Sequence, residues 1–275
     1  MKIVFLGDVF GKTGRRAVSR ELPYLRQHYK ADVIIVNGEN AAHGMGITTN
    51  IAQEFFALGV DVITTGNHIW DQREIIPYLE KENRVLRPIN FPEGAPGTGV
   101  IDYRLDDGRI VRVVNVMARL FMDALDDPFA AMNEVLKDRP LVTKHAHAVV
   151  VDFHGETTSE KMVMGMMLDG RVSFVVGTHT HIPTADTRIL AGGTAYQTDA
   201  GMCGDYNSVI GVTYETAAPR FIKKYANPRM AAKEGGTGTV CGSFVETDDK
   251  TGLAIHIEPI RLGPELLETR KASKK

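Results

Sequence analysis

Three short β-branched runs open this chain, and each breaks at a glycine or polar turn before a stretch of helical spacing. Lys2–Leu6 precedes Gly7-Asp8, Asp32–Val36 precedes Asn37-Gly38-Glu39-Asn40, and Val60–Ile63 precedes Thr64-Thr65-Gly66-Asn67-His68. Short apolar runs bounded by turn signals describe strands buried on both faces. Helical spacing follows from Gly14 to about His28, from an Asn50 cap to about Leu58, and from Arg73 to Glu80. Pro23 is expected at a boundary or kink of the first helix. Strands alternating with helices require a parallel sheet covered by those helices, which sets the class as α/β.

The remainder adds hairpins to this frame. Pro88–Thr98, with Pro92, Gly94, Pro96 and Gly97, reads as a loop. Gly99–Leu105 and Arg109–Val116 flank Asp106-Asp107-Gly108, a hairpin signal. A helix is predicted from near Pro128 to Leu136, a strand over His147–Val151 and a helix over Ser159–Leu168. A strand over Val172–Val176, a helical piece over Ala217–Tyr225 and a closing hairpin, Thr237–Thr247 with Leu253–Ile260, complete the pattern. The charged tail 268–275 is expected to fray.

The 275 residues are 43% hydrophobic and 24% charged, enough for a full core without covalent staples. No repeat, low-complexity linker or composition break divides them, so a single domain over 1–275 is expected. A net charge of −2 argues against long nucleic acid or an anionic membrane as partner. No apolar run approaches the roughly 20 residues of a membrane helix. Cys203 and Cys241 lack CxxC spacing, which suits a reducing compartment. With a strand starting at Lys2 and no room for a signal peptide, the expected location is cytoplasmic. The expected assembly is a homo-oligomer.

Residues past the C-terminal ends of parallel strands face the crevice where open α/β sheets bind ligands. Five predicted strand ends carry metal-ligand residue types there: Asp8; Glu39 and Asn40; Asn67 and His68; His154; and His179 with His181. Taken singly, each is a turn residue, a loop charge or a core histidine. Together they supply two carboxylates, two amides and three imidazoles, or four with His68, a set suited to iron, manganese or zinc. Cysteine is absent from it, which argues against a structural zinc site. Seven ligands exceed what one ion takes, so two ions sharing a carboxylate are expected, an arrangement used for displacement at phosphorus. Two divalent ions less two carboxylates and a hydroxide leave about +1, favouring a phosphate oxyanion.

These residues sit in strings that resemble the calcineurin-like metallophosphoesterases and, within them, the YmdB-like branch. The strings are 7–15 (GDVFGKTGR), 37–42 (NGENAA), 65–71 (TGNHIWD), 152–161 (DFHGETTSEK) and 177–186 (GTHTHIPTAD). The resemblance extends to about residue 260. It implies a four-layer α/β/β/α sandwich and a phosphodiesterase able to act on 2′,3′-cyclic nucleotides. It also implies one metal on Asp8, Glu39, Asn40 and His181, and another on Glu39, Asn67, His154 and His179, with Glu39 bridging. A hydroxide between the metals is then the nucleophile and His68 the proton donor to the leaving oxygen. Two positions depart from the wider superfamily: its Asp-x-His is Asp8-Val9-Phe10 here, and its bridging aspartate is Glu39.

Two other readings compete. The same metals would serve a phosphomonoesterase or nucleotidase, and a regulatory protein could bind metal and nucleotide with slow turnover. Gly7-Asp8-Val9-Phe10-Gly11-Lys12-Thr13 imitates a P-loop but has three residues between its glycines where that motif needs four. Lys12, Thr13 and Arg15 are candidates for orienting a substrate phosphate, with a solvated helix start as the plainer reading. His43, His145 and His147 are assigned ordinary surface or core roles, and Met162–Met167 is read as core packing.

Overall fold

The computed structural model describes residues 1–137, 141, 146–223 and 225–270. His145 and the tail from 271 lie outside the described residues. Two sheets organise the chain. The first contains β1 (Lys2–Leu6), β2 (Val33–Asn37) and β3 (Val62–Thr64), all parallel, with β10 (Val240–Thr247) and β11 (Ala254–Leu262) added antiparallel in the order β11-β10-β1-β2-β3. The second runs β4-β5-β6-β7-β9-β8, built from β4 (Val100–Arg104), β5 (Ile110–Met117), β6 (Ala148–His154), β7 (Phe174–Thr178), β8 (Arg188–Ile189) and β9 (Ala195–Gln197). Its inner strands β5, β6, β7 and β9 are parallel; β4 and β8 are antiparallel edges.

The two-residue period of the strands divides their side chains between three cores. Ile3 and Phe5 of β1 and Val33 and Ile35 of β2 pack with Val111, Val113, Ala148, Val150, Phe174 and Val176 of the other sheet. Val4, Leu6, Ile34 and Val36 turn the opposite way, onto α1 (Gly11–Tyr29) and α2 (Thr49–Ala57). Val149, Val151, Phe153 and Val175 likewise face α4 (Pro128–Leu136) and α5 (Thr158–Leu168). The central strands β1, β2, β5, β6 and β7 are therefore buried on both faces, which explains their continuous apolar runs.

Local details differ from the sequence expectation for identifiable reasons. Pro23 lies inside α1 without ending it; the residue is exposed, on the outward side where water can serve the carbonyl it leaves unpaired. Thr48, rather than Asn50, caps α2 by accepting from Ile51 N–H at 3.2 Å. The helix expected over Arg73–Glu80 is a 3₁₀ turn, Arg73–Ile75, followed by the short α3 (Ile76–Leu79), with Pro77 in its first turn. Only Met164 of the methionine run is fully buried, while Met166 is 63% exposed. The tail is held as far as Arg270: Thr269 N–H donates to Arg261 O (2.8 Å), and the Arg270 guanidinium donates to Glu21 (2.6 Å). No helix among the described residues is long and apolar enough to cross a membrane.

Phe5 and Phe174 meet edge-to-face across the two sheets, with ring centroids 6.3 Å apart and neither ring exposed. Truncating one of them opens a cavity between sheets that cannot collapse independently. Phe174→Ala is expected to cost about 3–5 kcal/mol, read from the shift of the urea unfolding transition. A loss under about 1 kcal/mol would mean that this contact does not join the sheets.

Candidate metal centre

All the sequence-predicted ligands lie at the C-terminal ends of parallel strands, three strands in one sheet and two in the other. Asp8 follows β1, Glu39 and Asn40 follow β2, and Asn67 and His68 follow β3; His154 ends β6, and His179 and His181 follow β7. The turn after β2 is fixed when Gly38 N–H donates to Thr64 O (2.9 Å) and Glu39 N–H to the Asn37 side chain (3.1 Å). Asp8, Glu39 and His154 have no exposure, and Asn40 and His181 retain 2% and 5%. These are polar groups in a dry crevice, where each needs a partner.

Seven of the eight side chains form two overlapping sets. The His154 Nε2 atom lies 2.9 Å from Asn67 Oδ1, 3.1 Å from His179 Nδ1 and 3.3 Å from Glu39 Oε1. On the other side, Asn40 Nδ2 lies 2.9 Å from Glu39 Oε1 and 3.2 Å from His181 Nε2, and His181 Nε2 lies 3.8 Å from Asp8 Oδ1. Glu39 belongs to both sets. Its Oε2 also accepts from the His68 backbone N–H at 3.3 Å. Donor atoms of Glu39, His154 and His179 all lie within 4.8 Å of one another.

One ring nitrogen cannot satisfy three neighbours with a single proton or lone pair. The far nitrogen of each imidazole tells which role the near one plays. Asp152 accepts from Asn37 (3.0 Å), Thr64 (2.5 Å) and Thr178 (2.6 Å). With its proton given to Asp152, the Thr178 hydroxyl must accept from His154 Nδ1–H at 2.9 Å. His181 Nδ1–H donates to Ile210 O (2.7 Å), and His179 Nε2–H faces Glu156 (3.2 Å). In the neutral rings, His154 Nε2, His181 Nε2 and His179 Nδ1 therefore turn lone pairs toward the same small space. Asp8 Oδ1, buried there, has no hydrogen-bond partner. Converging lone pairs, an orphaned carboxylate oxygen and mixed O/N chemistry all fit divalent cations.

The charges of the bare cluster are consistent with this. Burial pushes Asp8 above the usual carboxylate range, although His181 and His154 oppose it. Glu39, despite burial, is held down to about 2 by His154, His68 and His179. Burial works against the His154 imidazolium as well, but Glu39, Asp8 and Asp152 outweigh it and raise the ring to about 9. His179 is pushed down to about 3 by burial and by the His154 charge. Asp152 is raised by burial to about 6, against the bonds that it accepts. Without a cation, a proton on His154 serves as the positive charge that Glu39 requires.

The His179-Thr180-His181 turn is strained, with φ of 95° at His179 and 67° at His181, a region that non-glycine residues rarely occupy. Backbone bonds on both sides hold it. His179 N–H donates to Asp8 Oδ2 (3.1 Å), and Thr180 N–H to Asp199 Oδ2 (3.1 Å). The Lys161 ammonium donates to Thr178 O (2.8 Å) and Asp199 (2.7 Å), with both side chains 1% exposed. Tyr206 O–H and Met202 N–H converge on His181 O. Sequence reasoning missed Lys161, Asp199 and Asp152. The signal was available only as charged residues inside or beside apolar runs, and nothing in the sequence says which of these are buried together. Lys12 and Arg15 do not join the cluster; with Arg16 and Arg20 they line an outer groove between α1 and α2. His43, read as an ordinary surface residue, lies at the rim of the histidine cavity.

The chain matches the YmdB-like protein family over residues 4–260. It is 44% identical, over 96% of its length and 98% of the relative's, to a 2′,3′-cyclic-nucleotide 2′-phosphodiesterase of Bacillus subtilis (strain 168). The chain belongs to the YmdB-like family. Two solved structures share its fold at a TM-score of 0.87. A hypothetical protein from Thermus thermophilus is 40% identical, covering 95% of this chain and 98% of that one. A structure described as a novel phosphatase of Mycoplasma pneumoniae is 34% identical, covering 95% and 93%. The 12%-identical SoxB sulfate thiohydrolase of Thermus thermophilus, at a TM-score of 0.53 over 92% of this chain and 43% of that one, shares the fold alone.

In this YmdB-like chain, the backbone at Gly66 passes directly against the site. A Cβ there would overlap Glu39 Oε2 and the His154 ring. Gly66→Ala is therefore expected to keep its circular dichroism spectrum but lose at least half of its bound metal by elemental analysis. Full metal retention would show that Glu39 and His154 can move apart freely. Lys161→Met leaves Asp199 buried without its counter-charge, and a loss of about 3–5 kcal/mol in unfolding free energy is expected.

Proposed function

We propose that this chain is a dinuclear metal-dependent phosphodiesterase that hydrolyses small phosphodiesters such as 2′,3′-cyclic nucleotides. The observation that carries the reading is the crossing of two ligand sets at Glu39. Asp8, Glu39, Asn40 and His181 would hold one ion, and Glu39, Asn67, His154 and His179 the other. Iron or manganese suits this thiolate-free donor set, with zinc as the other candidate. When bound, such ions supply charge neutralisation at the phosphoryl oxygens and acidify the attacking water. The relative named for cyclic-nucleotide hydrolysis supports the substrate class.

His68 is assigned the proton for the leaving oxygen. Its Nδ1 is committed to Asp71 at 2.7 Å, and the ring borders the cavity. That leaves Nε2 for the substrate, beside a ribose oxygen that departs poorly as an alkoxide. Asp71 fixes the ring's direction, and Glu39 anchors the backbone beneath it through His68 N–H. The architecture proposed is the four-layer α/β/β/α sandwich. Its support is the placement of α1 and α2 against one sheet and α4 and α5 against the other, with a shared core between the sheets. The alternative chemistry is monoester hydrolysis at the same residues, and the Mycoplasma structure described as a phosphatase favours it.

Metal analysis of protein purified without chelator is expected to return about two equivalents, with 2′,3′-cyclic AMP hydrolysed by the same sample. His68→Ala should lower turnover by about 10²–10⁴ and keep both metals. Faster release of phosphate from 2′- or 3′-AMP than from the cyclic diester would favour the monoesterase. Metal below about half an equivalent, not restored by iron or manganese, would remove the dinuclear reading altogether.

A further inference from the structure

We propose that the apolar lining of the histidine cavity is a nucleobase subsite, with Phe10 as its inner wall and Phe221 as its outer one. The identity of the occupant rests on the phosphodiesterase reading above; the existence of an aromatic-binding wall does not. The cavity measures about 420 Å³, within the range of small-molecule sites. Its lining is of two chemical kinds: Glu39, Asn40, His179, His181 and Arg220 are polar or charged, whereas Phe10, Ile210, Val212, Phe221 and Met230 are apolar. A substrate with its phosphate against the histidines has this carbon wall within the same cavity for the rest of itself.

The apolar lining is built from rigid and yielding parts. Phe10 is the rigid part. Its ring is wedged between Gly44 and Gly211, where a Cβ on either would come within 2.6 Å of it, and both glycines have positive φ (92° and 99°). The ring meets the His181 imidazole edge-on at 5.4 Å and 72°. Phe10 also occupies the third position of Asp8-Val9-Phe10, where the Asp-x-His pattern has an imidazole. A phenyl there substitutes a carbon wall for a potential ligand, immediately beside the metal-type residues.

The yielding part comes from α6 (Tyr214–Ile222) and the chain that follows it. Phe221, Ile210 and Met230 keep 75%, 49% and 42% of their surface in solvent, although each lines the cavity. Apolar surface left exposed around a polar centre marks a ligand-binding groove. Arg220 ties this wall together: its Nε donates to Asn227 Oδ1 (2.6 Å), and its Nη1 lies 3.3 Å from Met230 Sδ. Of the parts of a nucleotide, only the base has planar apolar faces for such a wall and polar edges that can stay hydrated. Stacking on aromatic side chains tolerates any base, so the subsite confers a preference for nucleosides over base-free diesters rather than for one base.

The test separates this inference from the hydrolase reading. Native protein and Phe221→Ala are titrated calorimetrically with adenosine and with ribose, neither of which has a phosphate for the metals. Both are also assayed on 2′,3′-cyclic AMP and on the 2′,3′-cyclic phosphate of methyl riboside. Adenosine is expected to bind at least about tenfold more tightly than ribose, and Phe221→Ala to remove about tenfold of that affinity. The ratio of kcat/KM for the cyclic nucleotide to that for the base-free diester should fall by a similar factor, through KM. Adenosine binding that depends on Phe221 without hydrolysis of either diester would uphold the subsite and overturn the hydrolase. Equal hydrolysis of the two diesters with no adenosine preference over ribose would overturn the subsite and keep the hydrolase. Unchanged adenosine affinity in Phe221→Ala, with a drop in oligomeric mass, would overturn the subsite in favour of a subunit contact on α6.

Discussion

Glu39 is a carboxylate with no exposed surface, and its charge sets the terms for everything around it. An ion so far from water must be compensated at short range, because the interior screens poorly. The compensation comes from both sheets: His154 approaches from the end of β6, His68 and Asn67 from the end of β3, and Asn40 from the next position in the chain. These groups cannot satisfy one another completely. His154 Nε2 is shared among three neighbours, and Asp8 Oδ1 has none at hydrogen-bond distance. Such a cluster holds together through charge more than through paired hydrogen bonds, and a cation is the one partner that would serve every lone pair at once.

Around this cluster lies a ring of groups that hold the far nitrogen of each imidazole. Thr178 and Asp152 fix the His154 tautomer, Ile210 O fixes that of His181, and Glu156 that of His179. The Lys161–Asp199 pair holds the peptide groups on either side of His179. Positive φ at His179 and His181 costs about 1–3 kcal/mol each, and the buried Lys161–Asp199 pair braces the turn that carries them. The same turn gives His181 its place against Phe10, so the polar and apolar linings of the cavity share one support.

Much of this was legible in advance. The three opening strands and the helices α1 and α2 followed from periodicity and both hairpins from turn signals, and the metal-ligand residue types at the strand ends were visible as a set. The boundaries were less legible. Thr48 displaced Asn50 as a cap because the backbone is still extended at Thr48 and helical from Thr49. Pro23 stayed within α1 because it lies on the exposed side of that helix. Lys161 and Asp199 were illegible for a related reason: a lysine in α5 and an aspartate after β9 give no sign that they meet in a dry interior.

By itself the sequence determined that the chain alternates strands with helices, that its opening strands are buried, and which residue types stand at their C-terminal ends. Those properties are local, since each depends on side-chain periodicity within a few residues. Only the tertiary structure decided that β1, β2 and β3 belong to one sheet and β6 and β7 to another, with their C-terminal ends meeting at a common edge. It also decided that Phe10 faces His181 and that Phe221 borders the same cavity. Such relations are set by how two twisted sheets pack over a shared core, which brings together residues as far apart in the chain as Asp8 and His179 and has no period in the sequence.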